Sequence, residues 1–356
     1  MQPLVIGNIT TPLPIIQGGM GIGVSLSRLS SEVANLGGIG VLSAAGLGML
    51  YKRSKNYEEN SIYGLQEEIR KAKTLTQGVL GVNIMVAMTN FSDLVQVAIQ
   101  ENIDIIFAGA GLPLDLPKYL EASSKTKLIP IVSSGRAAKI ITKKWLQNYQ
   151  YLPDGFVLEG PLAGGHLGFK KEQIDDPNYQ LENLLEEVLL AIKPFEEEHK
   201  KKIPVIVAGG IYNGDDIHKF LTMGASGVQM ATRFVTTFEC DASPLFKDMY
   251  INAKKEDIVI VDSPVGLPGR AIQNSYLDDV KKGLKKPFTC PYDCIVTCKK
   301  EEAPYCITLA LLNAMRGKLE NGFAFAGSNA YKANKIISVK DLIEELKTDY
   351  YKAQTL

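Results

Sequence analysis

The sequence predicts an α/β protein, a (β/α)8 TIM barrel carrying a C-terminal cysteine-rich cap segment. Three observations carry that reading. Short apolar runs recur eight times in the first 230 residues, at 13–17, 39–43, 79–83, 103–107, 128–132, 155–159, 203–207 and 227–230. Segments of helical periodicity lie between them, at 26–36, 65–74, 91–99, 116–122, 137–146, 181–195 and 217–223. The two kinds alternate strictly. Runs of four to eight apolar residues are what strands need when both faces are covered, as in a parallel sheet. Alternation with helices makes them βαβ units, and eight such units match a closed barrel, with a doubly wound open sheet as the alternative.

Composition narrows the class. The chain has 356 residues, 46% apolar and 22% charged, with 39 basic and 39 acidic side chains. It is long enough to bury a full core. Zero net charge argues against a broad nucleic-acid or anionic-membrane surface. The weakly polar run 37–50 is too short and too glycine-rich to cross a bilayer, and no basic segment precedes the first apolar one. The expected compartment is the cytoplasm.

Barrel chemistry sits where the strands end. Gly18-Gly19-Met20-Gly21 follows the first run, Asn83 ends the third, and Ser133-Ser134-Gly135 follows the fifth, with Lys139 one turn into the next helix. Glu159 ends the sixth and leads through Gly164 and Gly165 to His166. Ala208-Gly209-Gly210 follows the seventh run, and Gln229-Met230-Ala231-Thr232 closes the eighth. Glycines at the seventh position and a small hydroxyl residue at the eighth are where barrels cradle a phosphate. No Gly-x-Gly-x-x-Gly follows the first strand, so FMN is favoured over a dinucleotide. Of three histidines, only His166 stands among glycines beyond a strand, which makes it the candidate acid–base residue.

After Met230 the pattern changes. Residues 240–253 fit the last barrel helix, 254–261 an added strand, 263–269 a loop, 307–317 a helix and 339–346 a final helix. The division expected is a barrel over 1–238 and an extension over 239–356. Cys290, Cys294, Cys298 and Cys306 are spaced C-x3-C-x3-C-x7-C. In a reducing compartment that clustering favours a [4Fe–4S] cluster, with structural zinc or four unconnected thiols as alternatives. Four lysines fall within 281–286, a solvated surface or a landing place for an acidic partner.

The segments Pro14-Ile15-Ile16-Gln17-Gly18-Gly19-Met20-Gly21, Gly164-Gly165-His166-Leu167-Gly168, Ala208-Gly209-Gly210-Ile211 and 224–234 resemble the nitronate monooxygenase (2-nitropropane dioxygenase) family of FMN-dependent barrels, which also contains flavin-dependent enoyl-acyl-carrier-protein reductases. The resemblance implies that Met20, Asn83, Lys139, Glu159, Gly164, Gly210, Ala231 and Thr232 surround FMN and that His166 is the base. Ser263-Pro264-Val265-Gly266, the four cysteines and 322–329 resemble one branch, the FMN and [4Fe–4S] dehydrogenase/isomerase of acyl-carrier-protein thioesters in unsaturated fatty acid synthesis. That branch implies α,β-dehydrogenation followed by trans-2/cis-3 isomerisation. The alternatives are an NAD(P)H-dependent enoyl reductase, a nitronate oxidiser and, outside enzymology, a redox-sensing scaffold. Flavin barrels are often homodimers, the assembly expected here.

Overall fold

The structure is a computed structural model that describes residues 1–285, 290 and 292–355. The chain opens with an antiparallel hairpin, β1 (Leu4–Ile6) and β2 (Ile9–Thr11), in the register Leu4↔Thr11. Then come β3 (Ile15–Gln17), β4 (Ile39–Ser43), β5 (Leu80–Met85), β6 (Ile105–Gly109), β7 (Lys127–Val132), β8 (Phe156–Glu159), the two-residue β9 (Gly165–His166), β10 (Val205–Ala208) and β11 (Gly227–Met230). All of these except β1, β2 and β9 form a closed eight-stranded parallel barrel, sealed where β8 pairs with β10 and β11 with β3. The eight predicted runs are its eight strands.

Two apolar layers explain why the runs are continuous rather than alternating. Ile16, Val41, Phe107, Ile129, Val157 and Ile206 point into the barrel, where Leu4 and Ile6 of the hairpin join them and plug the N-terminal mouth. Ile15, Leu42, Val82, Ile106 and Leu158 point outward beneath the helices. A filled, plugged interior leaves the C-terminal mouth as the place for a ligand.

The helices are α1 (Ser27–Asn35), α2 (Leu47–Leu50), α3 (Tyr57–Leu75), α4 (Phe91–Gln100), α5 (Gly135–Tyr149), α6 (Leu181–His199), α7 (Gly214–Thr222), α8 (Thr232–Val235), α9 (Pro244–Asn252), α10 (Ser275–Lys281), α11 (Ile307–Met315) and α12 (Val339–Ala353). Their starts follow capping chemistry: Asn56, Ser134, Asn213 and Ser338 each accept an N–H from the first turn. No helix among the described residues is long and apolar enough to cross a membrane.

Three elements differ from expectation. The helix expected over 116–122 is a 3-10 turn, Leu116–Tyr119, with proline at its start. Trp145 of α5 fills the space instead, and its indole N–H donates to Pro113 O at 2.9 Å. The segment 240–253 is not the eighth outer helix: α12 packs against both α7 and α1 and closes the ring, while α9 turns Phe246 and Tyr250 toward the mouth. Residues 263–269 are not all loop. β13 (Pro268–Ile272) follows β12 (Ile258–Asp262), and the two form an antiparallel sheet with β9. Proline is tolerated there because it is the first residue of its strand. Of the lysines at 281–286, Lys281 donates to Gln273 at 3.1 Å and Lys285 pairs with Asp279 at 3.7 Å; Lys286 lies outside the described residues.

Candidate active site

The strand ends and the folded-back extension enclose a cavity of about 240 Å³. Its floor is Gly18–Gly21, Ser43, Asn83, Glu159, Gln229, Ala231 and Thr232; its roof is Val265, Phe325, Ala326 and Gly327 from the extension. One flank is apolar, with Ile22, Val24, Met88, Ile295, Ile307 and Leu311.

His166 reaches this cavity from β9, which β13 holds by the pairs Gly269↔His166 and Arg270↔Gly165. The loop before β9 is tied from beneath. Arg270 is buried, and its guanidinium donates to Pro161 O and, at 2.7 Å, to Ala163 O. The imidazole packs edge-on to Phe325, 4.9 Å between centroids, and its Nε2 lies 2.7 Å from Ser263 Oγ. Burial pushes its pKa down to about 4, so it is neutral at pH 7 and has a lone pair to offer.

Glu159, at the end of β8, faces the same space. It makes no side-chain hydrogen bond or ion pair among the described residues, and burial pushes its carboxyl up to about 7. An acid half-neutral at physiological pH both accepts and donates, which suits a ligand with mixed polar edges.

On the far side, Gly209 and Gly210 take φ of 95° and 85° after β10, a conformation glycine alone adopts without strain. The extension binds back onto this turn. Asn329 Nδ2 donates to Gly210 O at 2.6 Å, and Gly327 N–H donates to Thr232 Oγ1 at 3.0 Å. At Gly19 a Cβ would stand 2.4 Å from Asn83 Cβ, so only glycine leaves that wall open. The open floor, the unpartnered Glu159 carboxyl and the small-residue rim fit a flavin with a phosphate tail.

Most expected site residues therefore meet: Gly19, Met20, Asn83, Glu159, Gly164, Gly165, His166, Gln229, Ala231 and Thr232 all line the cavity. Others stand apart. Lys139 is exposed on α5, because the Ser134 cap sets a helical phase that turns Gly135 and Ala138 inward. Ala208 and Met230 are buried in the barrel wall, and Gly209 and Gly210 lie behind Ala163 and Leu162. Sequence reasoning missed Ser263, Tyr57, Leu311 and Phe325 as parts of the site. The 263–266 turn was visible, but nothing local signals that it returns to His166.

Cys290, Cys294, Cys298 and Cys306 converge on a neighbouring cavity of about 20 Å³, which shares Cys294, Ile295, Ile307 and Thr308 with the larger one. Cys294 Sγ lies 3.1 Å from Thr308 Oγ1. Burial pushes the Cys294 thiol up to about 11 and raises Cys298 and Cys306 as well. Among the described residues no three His, Cys, Asp or Glu side chains are placed to hold a metal ion. The cluster geometry expected from the spacing is thus not formed. A metal ion's charge is what deprotonates such thiols and draws them together.

A closed barrel with a neutral histidine, an unpartnered acid and a small-residue rim at its C-terminal mouth defines a flavin-type oxidoreductase. The chain belongs to the nitronate monooxygenase family, whose pattern matches residues 2–349. It is 27% identical over 273 residues to (3aS,4S,5R,7aS)-5-hydroxy-7a-methyl-1-oxo-octahydro-1H-indene-4-carboxyl-CoA dehydrogenase of Mycobacterium tuberculosis, covering 76% of this chain and 66% of that relative's length. It is 25% identical over 295 residues to a probable nitronate monooxygenase of Staphylococcus aureus, covering 76% and 78%. Among solved structures, FabK from Thermotoga maritima matches with a TM-score of 0.75 and 26% identity, covering 97% of this chain and 94% of that one.

Proposed function

We propose that this oxidoreductase is an FMN-dependent enzyme of acyl thioesters that removes hydrogens from Cα and Cβ and then shifts the double bond from trans-2 to cis-3. The observation that carries the reading is the pairing of a neutral His166 with the apolar flank of Ile22, Met88, Ile307 and Leu311 in one cavity. An aliphatic chain fills such a flank; a small nitronate does not need it. The dehydrogenase from M. tuberculosis, whose name specifies a CoA-linked acid, supports the same substrate class.

Gly19, Met20, Asn83, Glu159, Ala231 and Thr232 would hold FMN, whose chemistry there would be that of an acceptor for the β-hydrogen and its electron pair. His166 takes the α-proton, made acidic by the thioester carbonyl, through a ring nitrogen that is unprotonated at neutral pH. The N–H of Gly164, in the glycine loop before β9, steadies the developing enolate oxygen. For isomerisation the ring, once it has released the α-proton to solvent, takes a proton from Cγ and delivers it to Cα. The roof of Val265 and Phe325 keeps water from the intermediate.

The substrate is presented by an acyl carrier protein or as another small acyl thioester, the enzyme works in the cytoplasm as a homodimer, and the four cysteines around one small cavity would close on a [4Fe–4S] cluster or, alternatively, zinc once the metal is supplied. Five unpaired cysteines favour a reducing compartment. The relatives named probable nitronate monooxygenases favour a second reading, proton removal from a nitronate by the same histidine.

The test is anaerobic mixing with a saturated medium-chain acyl-carrier protein while following flavin absorbance. Bleaching without NAD(P)H supports the dehydrogenase. Bleaching by NAD(P)H alone overturns it in favour of an enoyl reductase, and bleaching by propyl nitronate alone overturns it in favour of the nitronate reading.

A further inference from the structure

We infer that Ser263 is a positioning residue for the proton-transfer base, its hydroxyl donating to the Nε2 lone pair of His166 and fixing the ring as the Nδ1–H tautomer. The inference rests on His166 being the base and adds the group that orients it. Ser263 Oγ stands 2.7 Å from His166 Nε2. A histidine nitrogen and a hydroxyl can each donate or accept, so the hydroxyl's other bonds decide the direction. Val265 N–H donates to the same Oγ at 3.3 Å, which engages an oxygen lone pair. Nε2 is the one acceptor the described residues offer the Ser263 hydroxyl, and we place the hydroxyl proton there. The nitrogen that receives it is unprotonated, and the ring proton is on Nδ1.

The hydroxyl is held where this bond needs it. Gly266 N–H donates to Ser263 O at 2.9 Å, closing a turn with Pro264 at its second position and Gly266 at φ 88°. Thr297 Oγ1 donates to Val265 O at 2.7 Å, which anchors the turn to the cysteine segment. β12 ends at Asp262 and β13 begins at Pro268, so the turn hangs on the sheet that also carries His166. Base and orienting hydroxyl therefore move as one body, although 97 residues separate them. A hydroxyl that donates to the neutral ring favours the unprotonated form and keeps the lone pair on one bearing until substrate displaces it.

The experiment compares Ser263→Ala, Ser263→Thr and His166→Ala, each with flavin bound, by steady-state kinetics across pH and by the ¹⁵N signals of the histidine ring. Ser263→Ala is expected to lower kcat about tenfold with KM nearly unchanged, and to raise the acid-limb pKa of kcat/KM by about one unit, the worth of one such hydrogen bond. Ser263→Thr, which keeps the hydroxyl, is expected to restore both, with flavin content unaltered throughout. The ring signals of the parent should show protonated Nδ1, and Ser263→Ala should mix the tautomers. An unchanged pH profile and tautomer in Ser263→Ala, with His166→Ala inactive, would overturn the inference and leave the base in place. A fall of the acid-limb pKa would overturn it too, since Nε2–H would then be the donor. Full turnover by His166→Ala would remove the base itself.

Discussion

Glu159→Gln isolates the energetic cost of building this site. The half-buried carboxyl has no partner among the described residues, and its desolvation moves its pKa from 4.5 to about 7. Below pH 4.5 both the folded and unfolded chains hold the proton, and there is no penalty. Between 4.5 and 7 the unfolded chain releases the proton while the folded one keeps it, so stability falls as pH rises. Above 7 the folded protein carries a buried charge and the penalty stays constant. At about 1.4 kcal/mol per pH unit, the interval gives a ceiling of about 3 kcal/mol, which water in the cavity reduces. Glutamine keeps the shape and cannot ionise. In urea unfolding of the flavin-free protein, the variant should match the parent at pH 4.5 and exceed it by about 2–3 kcal/mol at pH 8. His166, whose pKa falls from 6.5 to about 4, works in the opposite sense, because stability is lost as pH falls through that window. It is present in both proteins and cancels in the difference. A gain of equal size at both pH values would mean that packing, not ionisation, is being measured, and a variant less stable at pH 8 would refute the reasoning outright.

Arg270→Met should cost about 2–4 kcal/mol and loosen flavin binding, because it removes two charge-assisted bonds to Pro161 O and Ala163 O at about 1.5–3 kcal/mol each; calorimetry and flavin titration report this, and unchanged values would show that the loop before His166 holds itself. Cys294→Ser should lower bound iron and acid-labile sulfide together if the thiols hold a cluster, and metal analysis that finds zinc in the parent would replace that reading. Leu311→Trp narrows the apolar flank and should depress kcat/KM for long acyl chains about tenfold more than for short ones; equal losses would place the chain elsewhere.

Much of the barrel was legible because parallel strands are covered on both faces. The run 39–43 is buried at every position and is observed as a strand with the same bounds; 227–230 also keeps its bounds, with only Gln229 half-exposed where it meets the cavity. His166 was legible for a different reason, being a bulky polar residue among glycines past a strand end. Helical phase defeated the placement of Lys139, since one residue's difference in where α5 begins swings a side chain from the mouth to solvent. Long-range pairing defeated the extension. β9 is two residues long and has no periodicity of its own; it exists only because β13 lies beside it, about a hundred positions later. The last outer helix was misplaced because 240–253 and 339–353 are both plausible helices, and only the buried stripe of Val339, Leu342, Ile343, Leu346 and Tyr350 fits the gap between α7 and α1.

The order in which the chain is laid down bears on how its chemistry is controlled. The barrel contributes what a flavin needs: an open glycine floor, an acid at the end of β8 and small residues after β11. The extension contributes what a substrate needs. It supplies the hydroxyl facing the base, the aromatic edge of Phe325 and the apolar wall from α11. Its grip on the barrel lies beside these groups, by Asn329 on Gly210 and Gly327 on Thr232, and Tyr250 braces Phe325 O from within the extension. Flavin seating and substrate fit are therefore mechanically joined. Changes in 263–267 or 322–329 that alter substrate choice should also shift flavin affinity, whereas changes on the outward faces of α5 and α6 should shift neither.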